Sequence, residues 1–571
     1  MQWLDWAVVL LYTVLSMGLG LAFTRKASEN LESYFVSGRS LGWILAGTSM
    51  AATAFSSDTP LLVTGIVRVK GIWGNWEVWV LSISTMLAVF FFSRLWKRSG
   101  VMTEVELVET RYSGKPAAFL RGLKALYWGV FYNAFIMGAW PVTGLTKVMQ
   151  ETTGWGKPES ILFCMAITAL YACMSGYWGV ILTDLFQFIV AIGGAFLLAF
   201  YAVKACGGIP AMIDKIPNPD MLAFIPPLTG DSHYQMVKSP FAWFVGLIFV
   251  QWWAWKNADG GGIIVQRIAS CKDEKQALYA TLWFNIAQYA LRSWPWIITA
   301  LASLVLLPNL TDHERAYPRL MTMLLPTGAL GFMVASFLAA FMSTMSTHLN
   351  WGSSYFVNDF YKRFVKPNAP ESHYVAVARW SSVLLACAAA AVAFLTQSIG
   401  SVFTFVLNLT AAIGPVYFLR WFWWRINAWS EITAMAVSLP MILLRPMIFK
   451  ALELPSSPLL ELLFIVGASA CVWLPATFLT PPVREETLFS FCRRVDPPGF
   501  WKGWNRAAEP WGLHLRTWTV GTLALMLTTA GPLKYILGEK NQGLFWCWSA
   551  VFLWLVVIRD LQLRVENNAS N

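Results

Sequence analysis

Ala52-Thr53-Ala54-Phe55-Ser56-Ser57-Asp58-Thr59-Pro60 stands inside an apolar run that extends from about residue 41 to about residue 66. A carboxylate and a proline in mid-membrane leave backbone groups unpaired unless those groups line a protected cavity. A plain proline kink is the blander reading of the same residues. Five spans further along, a second apolar run ends in Trp255-Lys256-Asn257-Ala258-Asp259-Gly260-Gly261-Gly262, a composition that no helix interior favours. An ordinary loop at the membrane edge would carry the same residues. Breaks in matching positions of two five-span halves point to an inverted-repeat architecture with its binding site where the breaks meet.

A third stretch supplies ligands for such a site. Between Pro326 and Tyr361 a Gly- and Ala-rich apolar segment carries Ser343, Thr344, Ser346, Thr347, His348 and Asn350. On a helix Ser343, Ser346 and Thr347 share one face with Ala340, one turn earlier. Hydroxyls and a carbonyl with a spare lone pair are hard, neutral ligands that suit a small alkali cation. Taken singly, each hydroxyl would more commonly bond back to its own helix or to a neighbour. Four within five positions favour a site.

Composition agrees with a membrane location. Of 571 residues 57% are hydrophobic and 13% charged, and the mean hydropathy is +0.53, outside the range of soluble domains. Windows of about 20 apolar residues give about fifteen candidate spans. The net charge of +11 is read as loop placement rather than nucleic-acid binding. With the N-terminus outside, Lys and Arg favour the inner connections by about two to one, and fifteen spans put the C-terminus inside as well. The eight cysteines form no C-x-x-C pair and imply neither a disulfide framework nor a metal site. The start lacks the basic region of a cleaved signal peptide, so the first span is expected to stay.

Four motifs carry a resemblance to the sodium/solute symporters, the family of the sodium/glucose, proline and sialic acid symporters: Glu32-Ser33-Tyr34-Phe35-Val36-Ser37-Gly38-Arg39, Gly179-Val180-Ile181-Leu182-Thr183-Asp184-Leu185-Phe186-Gln187, Gln266-Arg267 with the basic Lys272 to Lys275 loop, and Ala339-Ala340-Phe341-Met342-Ser343-Thr344. The resemblance covers about residues 5–450. It implies a sodium site between core helices one and eight, formed by the carbonyls of Ala52, Phe55 and Ala340 and the hydroxyls of Ser343 and Thr344. It implies a possible second sodium site at Asp184, Ser343, Ser346 and Thr347. Thr183-Asp184 capping a helix is the alternative for that pair. Candidate solute contacts follow on core helices one, two and six: Ser56, Asp58, Thr59, Trp76, Glu77, Gln251, Trp252, Trp255, Asn257 and Asp259. The sequence departs from the family here, because the Gly-Gly-Gly run before Gln266-Arg267 lengthens the break. Lys256 with Asp259 reads as a neutralising pair, Arg292 as a paired or snorkelling residue, and His348 as a packed histidine or a proton-coupling group.

The expected fold is an all-α polytopic membrane protein of the five-plus-five inverted-repeat (LeuT-like) kind, with one extra N-terminal and about four extra C-terminal helices. A leading helix falls in 1–30, the repeats in 41–204 and 240–423, and accessory helices in 424–571. The expected function is sodium-coupled import of a small polar organic solute, a sugar, polyol or sialic-acid-like molecule, across a plasma or bacterial inner membrane. One or two Na+ ions, the solute and the lipid bilayer are the expected partners, with no organic cofactor and no nucleic acid. An amino-acid or organic-ion symporter of the same fold, and a transporter-like sensor with little flux, are the alternatives. An embedded enzyme would need a nucleophile with its base or a metal cluster, and five scattered His offer neither.

Overall fold

In the computed structural model the described residues are 1–22, 36–174, 177–228, 233–505 and 511–569. Glu32 to Phe35 and the turn at Ser175-Gly176 lie outside them. Among the described residues the chain is helical and holds no β-strand. Among the described residues eight helices are long and apolar enough to cross a membrane by length and composition. Other spans are divided or shorter.

The leading helix α1 (Trp3–Ala22) is followed by the divided pair α2 (Trp43–Ala54) and α3 (Thr59–Lys70). Then come α4 (Ile72–Ser99), α5 (114–153, with two π-turns), α6 (Lys157–Met174) and α7 (Tyr177–Cys206). The second divided pair is α8 (Pro240–Gln251) and α9 (Gly261–Ser270). After it run α10 (Glu274–Leu306), α11 (Ala329–Val365), α12 (Glu371–Leu395), α13 (Ile399–Ala411) and α14 (Gly414–Leu419). The C-terminal part contributes α15 (Ala428–Ala451), α16 (Pro458–Leu479), a short α17 (Glu485–Val495), α18 (Trp511–Ile536) and α19 (Lys540–Ala569).

The first break has a local cause. Phe55 leaves the helix at φ −92° and ψ 98°, and Pro60, which has no N–H to donate, sits in the first turn of α3. The freed groups are partnered by the protein. The Phe55 amide donates to the carbonyls of Ala51 and Ala52 at 3.0 and 3.1 Å, and the Ser57 hydroxyl donates to the Pro141 carbonyl at 2.7 Å. Gly144 on α5 makes this approach possible, since a Cβ there would lie 2.6 Å from the Asp58 nitrogen. The second break is a run of turns over 252–260, closed by Gly260 at φ 116° and Gly261 at φ 70°, angles that side-chain-bearing residues rarely adopt. Gly414 gives it room: its Cβ would meet the Trp255 nitrogen at 2.2 Å.

Helix α11 lies at the centre. It packs along α7 and α1, and every residue from Met333 to Ser354 is buried. Its hydroxyls therefore face protein rather than lipid. Helix α2 packs against α10 and α7, which brings the first break beside the Ser343–Thr347 stripe. In contrast, α15, α16 and α19 leave most of their apolar surface uncovered, as helices facing hydrocarbon do.

Candidate functional site

Thr344 joins α11 to the first break. Its hydroxyl donates to the Thr53 carbonyl at 3.0 Å and lies 3.4 Å from that of Phe55. Phe55 and Ala340 line one void of about 10 Å³ with Pro60 and Ser336, room for a single water-sized particle. Ala52 does not line that void, and its carbonyl accepts from the Phe55 amide at 3.1 Å. Phe55 thus contacts Ala52 and Thr344 and shares a void with Ala340, four of the five expected sodium ligands. The fifth, Ser343, turns away and donates to Asp184 Oδ1 at 2.6 Å.

Three of the four residues expected at a second site, Asp184, Ser343 and Thr347, come together around the Arg267 side chain. Asp184, in the second turn of α7 and fully buried, accepts hydrogen bonds from Ser343 and, at 2.5 Å, from Ser49. The Arg267 guanidinium enters from α9. Its Nη2 donates to Thr347 at 2.6 Å and to Thr53 at 3.2 Å, and stands 3.8 Å from Asp184 Oδ2. Its Nε donates to Ser49 at 3.3 Å. Ser346 takes no part, for its hydroxyl bonds back to the Ser343 carbonyl at 3.0 Å. A buried carboxylate needs a counter-charge, and here Arg267 is that charge.

A cavity of about 260 Å³ opens between the two breaks, near the lower end of the range of about 300–1,000 Å³ for small-molecule pockets. Ser56, Asp58, Thr59, Trp255 and Asn257 line it, as expected from the sequence. Two oxygens on its wall, Asn257 Oδ1 and Gln288 Oε1, make no hydrogen bond, and the Ser56 hydroxyl lies beside the Asp58 carboxyl. Thr344 and His348 of α11 also border it, so the ion-side helix forms part of the solute-side wall. His348 Nδ1 donates to the Asn133 amide oxygen at 2.6 Å, and the Asn133 amide donates back to the His348 carbonyl at 2.7 Å. The imidazole is held as a packed, bonded group.

Five of the expected solute contacts lie elsewhere, each for a visible reason. Glu77 is paired with Lys70 at 2.5 Å and accepts from the Trp243 indole at 2.7 Å. Trp76 donates to the Phe224 carbonyl at 2.8 Å and packs on Trp79 and Phe244. Gln251 bonds to the Ala254 carbonyl at 3.1 Å inside its own break. Trp252 packs against Trp518 of α18 with the rings tilted by 43° and their centroids 5.3 Å apart. Asp259 accepts from Arg420 at 2.6 Å and from the Trp421 indole at 2.8 Å, so Arg420, not Lys256, neutralises it. Arg292 donates to the Ala51 carbonyl at 2.6 Å, with the Phe55 ring 5.1 Å away, and braces the first break with no carboxylate within 4.0 Å among the described residues.

The cavity also includes residues that the sequence did not single out for solute contact. Tyr132 and Trp140 reach it from α5, Gln288 from α10, Trp351 from α11 and Lys256 from the second break. Gln288 and Trp351 carried a usable signal: a lone amide within an apolar span, and an indole one turn beyond His348 on the same helix face. Lys256 was read as bound to its neighbour.

Two discontinuous helices, side by side and bordering one polar-edged cavity in an all-helical membrane protein, define a secondary transporter of the inverted-repeat class. A family model described as the sodium:solute symporter family matches residues 34–437, and the chain belongs to that family. It is 24% identical over 478 residues to a sodium/glucose cotransporter of Vibrio parahaemolyticus, covering 78% of this chain and 85% of that protein. It is also 24% identical over 473 residues to a human sodium/myo-inositol cotransporter, covering 74% and 64%. Among solved structures, that of a sodium-coupled sialic acid symporter in a substrate-bound outward-open state superposes with a TM-score of 0.65 at 18% identity, over 85% of this chain and 99% of that one. The fold is the expected five-plus-five inverted repeat. The family and these relatives are transporters, and the protein is a multi-pass membrane transporter rather than an enzyme.

Proposed function

We propose that the protein imports a monosaccharide-sized polar solute together with one sodium ion by alternating access. The observation that carries this reading is the contact of Thr344 with the carbonyls of Thr53 and Phe55, beside the void shared by Phe55 and Ala340. Sodium held by Ala52, Phe55, Ala340, Ser343 and Thr344 would tie α11 to the first break, with Ser343 swinging from Asp184 to complete the ligand set. The cavity wall includes Thr344, so ion and solute are coupled through one helix. We count one ion because Arg267 already engages Asp184 and Thr347, two of the groups a second would use. Ser56, Asp58, Thr59, Trp255 and Asn257 contact the solute. Residues 41–204 and 240–423 act as the two repeats, the N-terminus faces outward, and the membrane is a plasma or bacterial inner membrane. Relatives named for glucose and myo-inositol support a hydroxylated solute.

The test is the thermal stability of the purified protein against a panel of sugars, polyols, sugar acids and amino acids, in sodium and then in potassium. One solute class should stabilise in sodium alone. Thr344→Ala should raise the sodium concentration needed by roughly two- to tenfold, the worth of one neutral hydrogen bond. Stabilisation indifferent to the cation would overturn the sodium site.

A further inference from the structure

Lys256 is a buried ammonium with aromatic neighbours and, among the described residues, no carboxylate in contact. It lies in the second break at 1% exposure and borders the cavity. Its Nζ stands 4.6 Å from the centroid of the Trp128 ring, 5.5 Å from that of Trp351 and 5.7 Å from that of Tyr132. Among the described residues no carboxylate oxygen comes within 4.0 Å of it, and no acceptor takes a hydrogen bond from it.

The acids nearest to it are already engaged. Asp259 and Glu104 contact Arg420 at 2.6 and 3.5 Å, and Glu431 contacts Lys124 at 3.0 Å. Arg111 lies against the same cluster, donating to the Arg420 carbonyl at 3.1 Å. Lys124, Arg420 and Lys256 face Glu104, Asp259 and Glu431, and Lys256 is the one of these three cations that has none of those carboxylate oxygens within 4.0 Å. Ring faces stabilise an ammonium without neutralising it. An ammonium that borders a binding cavity without a carboxylate in contact gains a charge-assisted hydrogen bond when the ligand brings one.

The other end of the cavity asks for something different. Asp58 precedes α3, a twelve-residue helix, whose N-terminal amides offset a carboxylate. Asn257 Oδ1 and Gln288 Oε1 are separate neutral acceptors without hydrogen-bond partners, and the Ser56 hydroxyl lies beside the Asp58 carboxyl. Acceptors spread around a cavity fit a solute with several hydroxyls, whereas a single ammonium would use Asp58 alone.

From this we infer that the solute is a monosaccharide-sized hydroxy acid, such as a uronate or aldonate, whose carboxylate sits against Lys256 while its hydroxyls donate to Ser56, Asp58 and Asn257. The inference rests on the reading of this cavity as the solute site of a symporter. In the sodium form, Lys256 then discriminates the acid from its neutral counterpart.

The experiment compares matched pairs by thermal stabilisation of the full-length purified protein: galactose with galacturonate, glucose with glucuronate and gluconate, and proline and serine as zwitterions, each in sodium and in potassium. An acid that binds about tenfold or more tighter than its neutral partner, the ordinary worth of one charge-assisted contact, is the expected result. Lys256→Met should abolish that preference and Lys256→Arg should keep it. Should Lys256→Met fail to fold, the wild-type pairs decide alone. Neutral sugars binding as well as their acids, or amino acids binding better than both, would overturn the hydroxy-acid assignment while leaving sodium coupling standing. An acid preference that is the same in potassium would do the reverse: it keeps the Lys256 site and removes the symporter reading.

Discussion

Ser343 and Thr344 are adjacent on α11, yet their hydroxyls serve different partners, one the Asp184 carboxylate and the other the Thr53 and Phe55 carbonyls. Successive helix positions point about 100° apart, so one dipeptide reaches both α7 and the first break. The Asp184–Arg267 pair behind Ser343 has the properties of a buried ion pair, in which removing one partner strands the other. Asp184→Asn and Arg267→Gln should each destabilise by about 3–5 kcal/mol, while the double variant should lose clearly less than their sum. Thermal unfolding of the four proteins forms the cycle, and additive losses would show that the two groups do not act as a pair.

At the scale of elements, each break is kept open by a glycine on a neighbouring helix. Gly144 of α5 faces the Ser57–Asp58 backbone, and Gly414 of α14 faces Ala254–Trp255. Both contacts are with main chain, which cannot rotate away as a side-chain tip can. Gly144→Ala and Gly414→Ala should therefore lower stability by about 1–3 kcal/mol each, the ordinary range for overpacking. Solute uptake should fall more than stability, because each glycine faces a segment that lines the cavity. Gly18→Ala, with nothing within 4 Å of the added Cβ, serves as the control. Uptake by Gly144→Ala equal to that of the control would separate the break from the transport step.

For the whole molecule, ion count and solute charge set the driving force together. One sodium ion moving with one carboxylate carries no net charge, and the membrane potential, which supplies about 2.3 kcal/mol per charge per 100 mV, then contributes nothing. Uptake of the acid into proteoliposomes should follow the sodium concentration gradient and ignore a potassium-clamped voltage. Acceleration by an inside-negative voltage would count against one ion with an anionic solute. The C-terminal helices belong to this scale too. Trp518 of α18 donates to the Ile83 carbonyl of α4 at 2.9 Å and packs at a tilt against Trp252 in the second break, so a C-terminal helix braces the second break.

The breaks, the hydroxyl stripe and the membrane class were legible in the residues themselves, because each rests on local chemistry. Pro60 has no N–H to donate, Gly260 and Gly261 allow positive φ, and Ser343 with Thr347 share a face by helical periodicity alone. Partner choice among charges was decided by tertiary structure. Asp259 has Lys256 three positions away in the chain, yet it pairs with Arg420, 161 positions distant. Arg267 occupies the hydroxyl cluster because α9 packs against α2 and α11. Lys256 is consequently left facing the cavity among three rings. A charge in low dielectric pairs with whatever opposite charge the packing brings within a few ångströms, and sequence separation has no part in that distance.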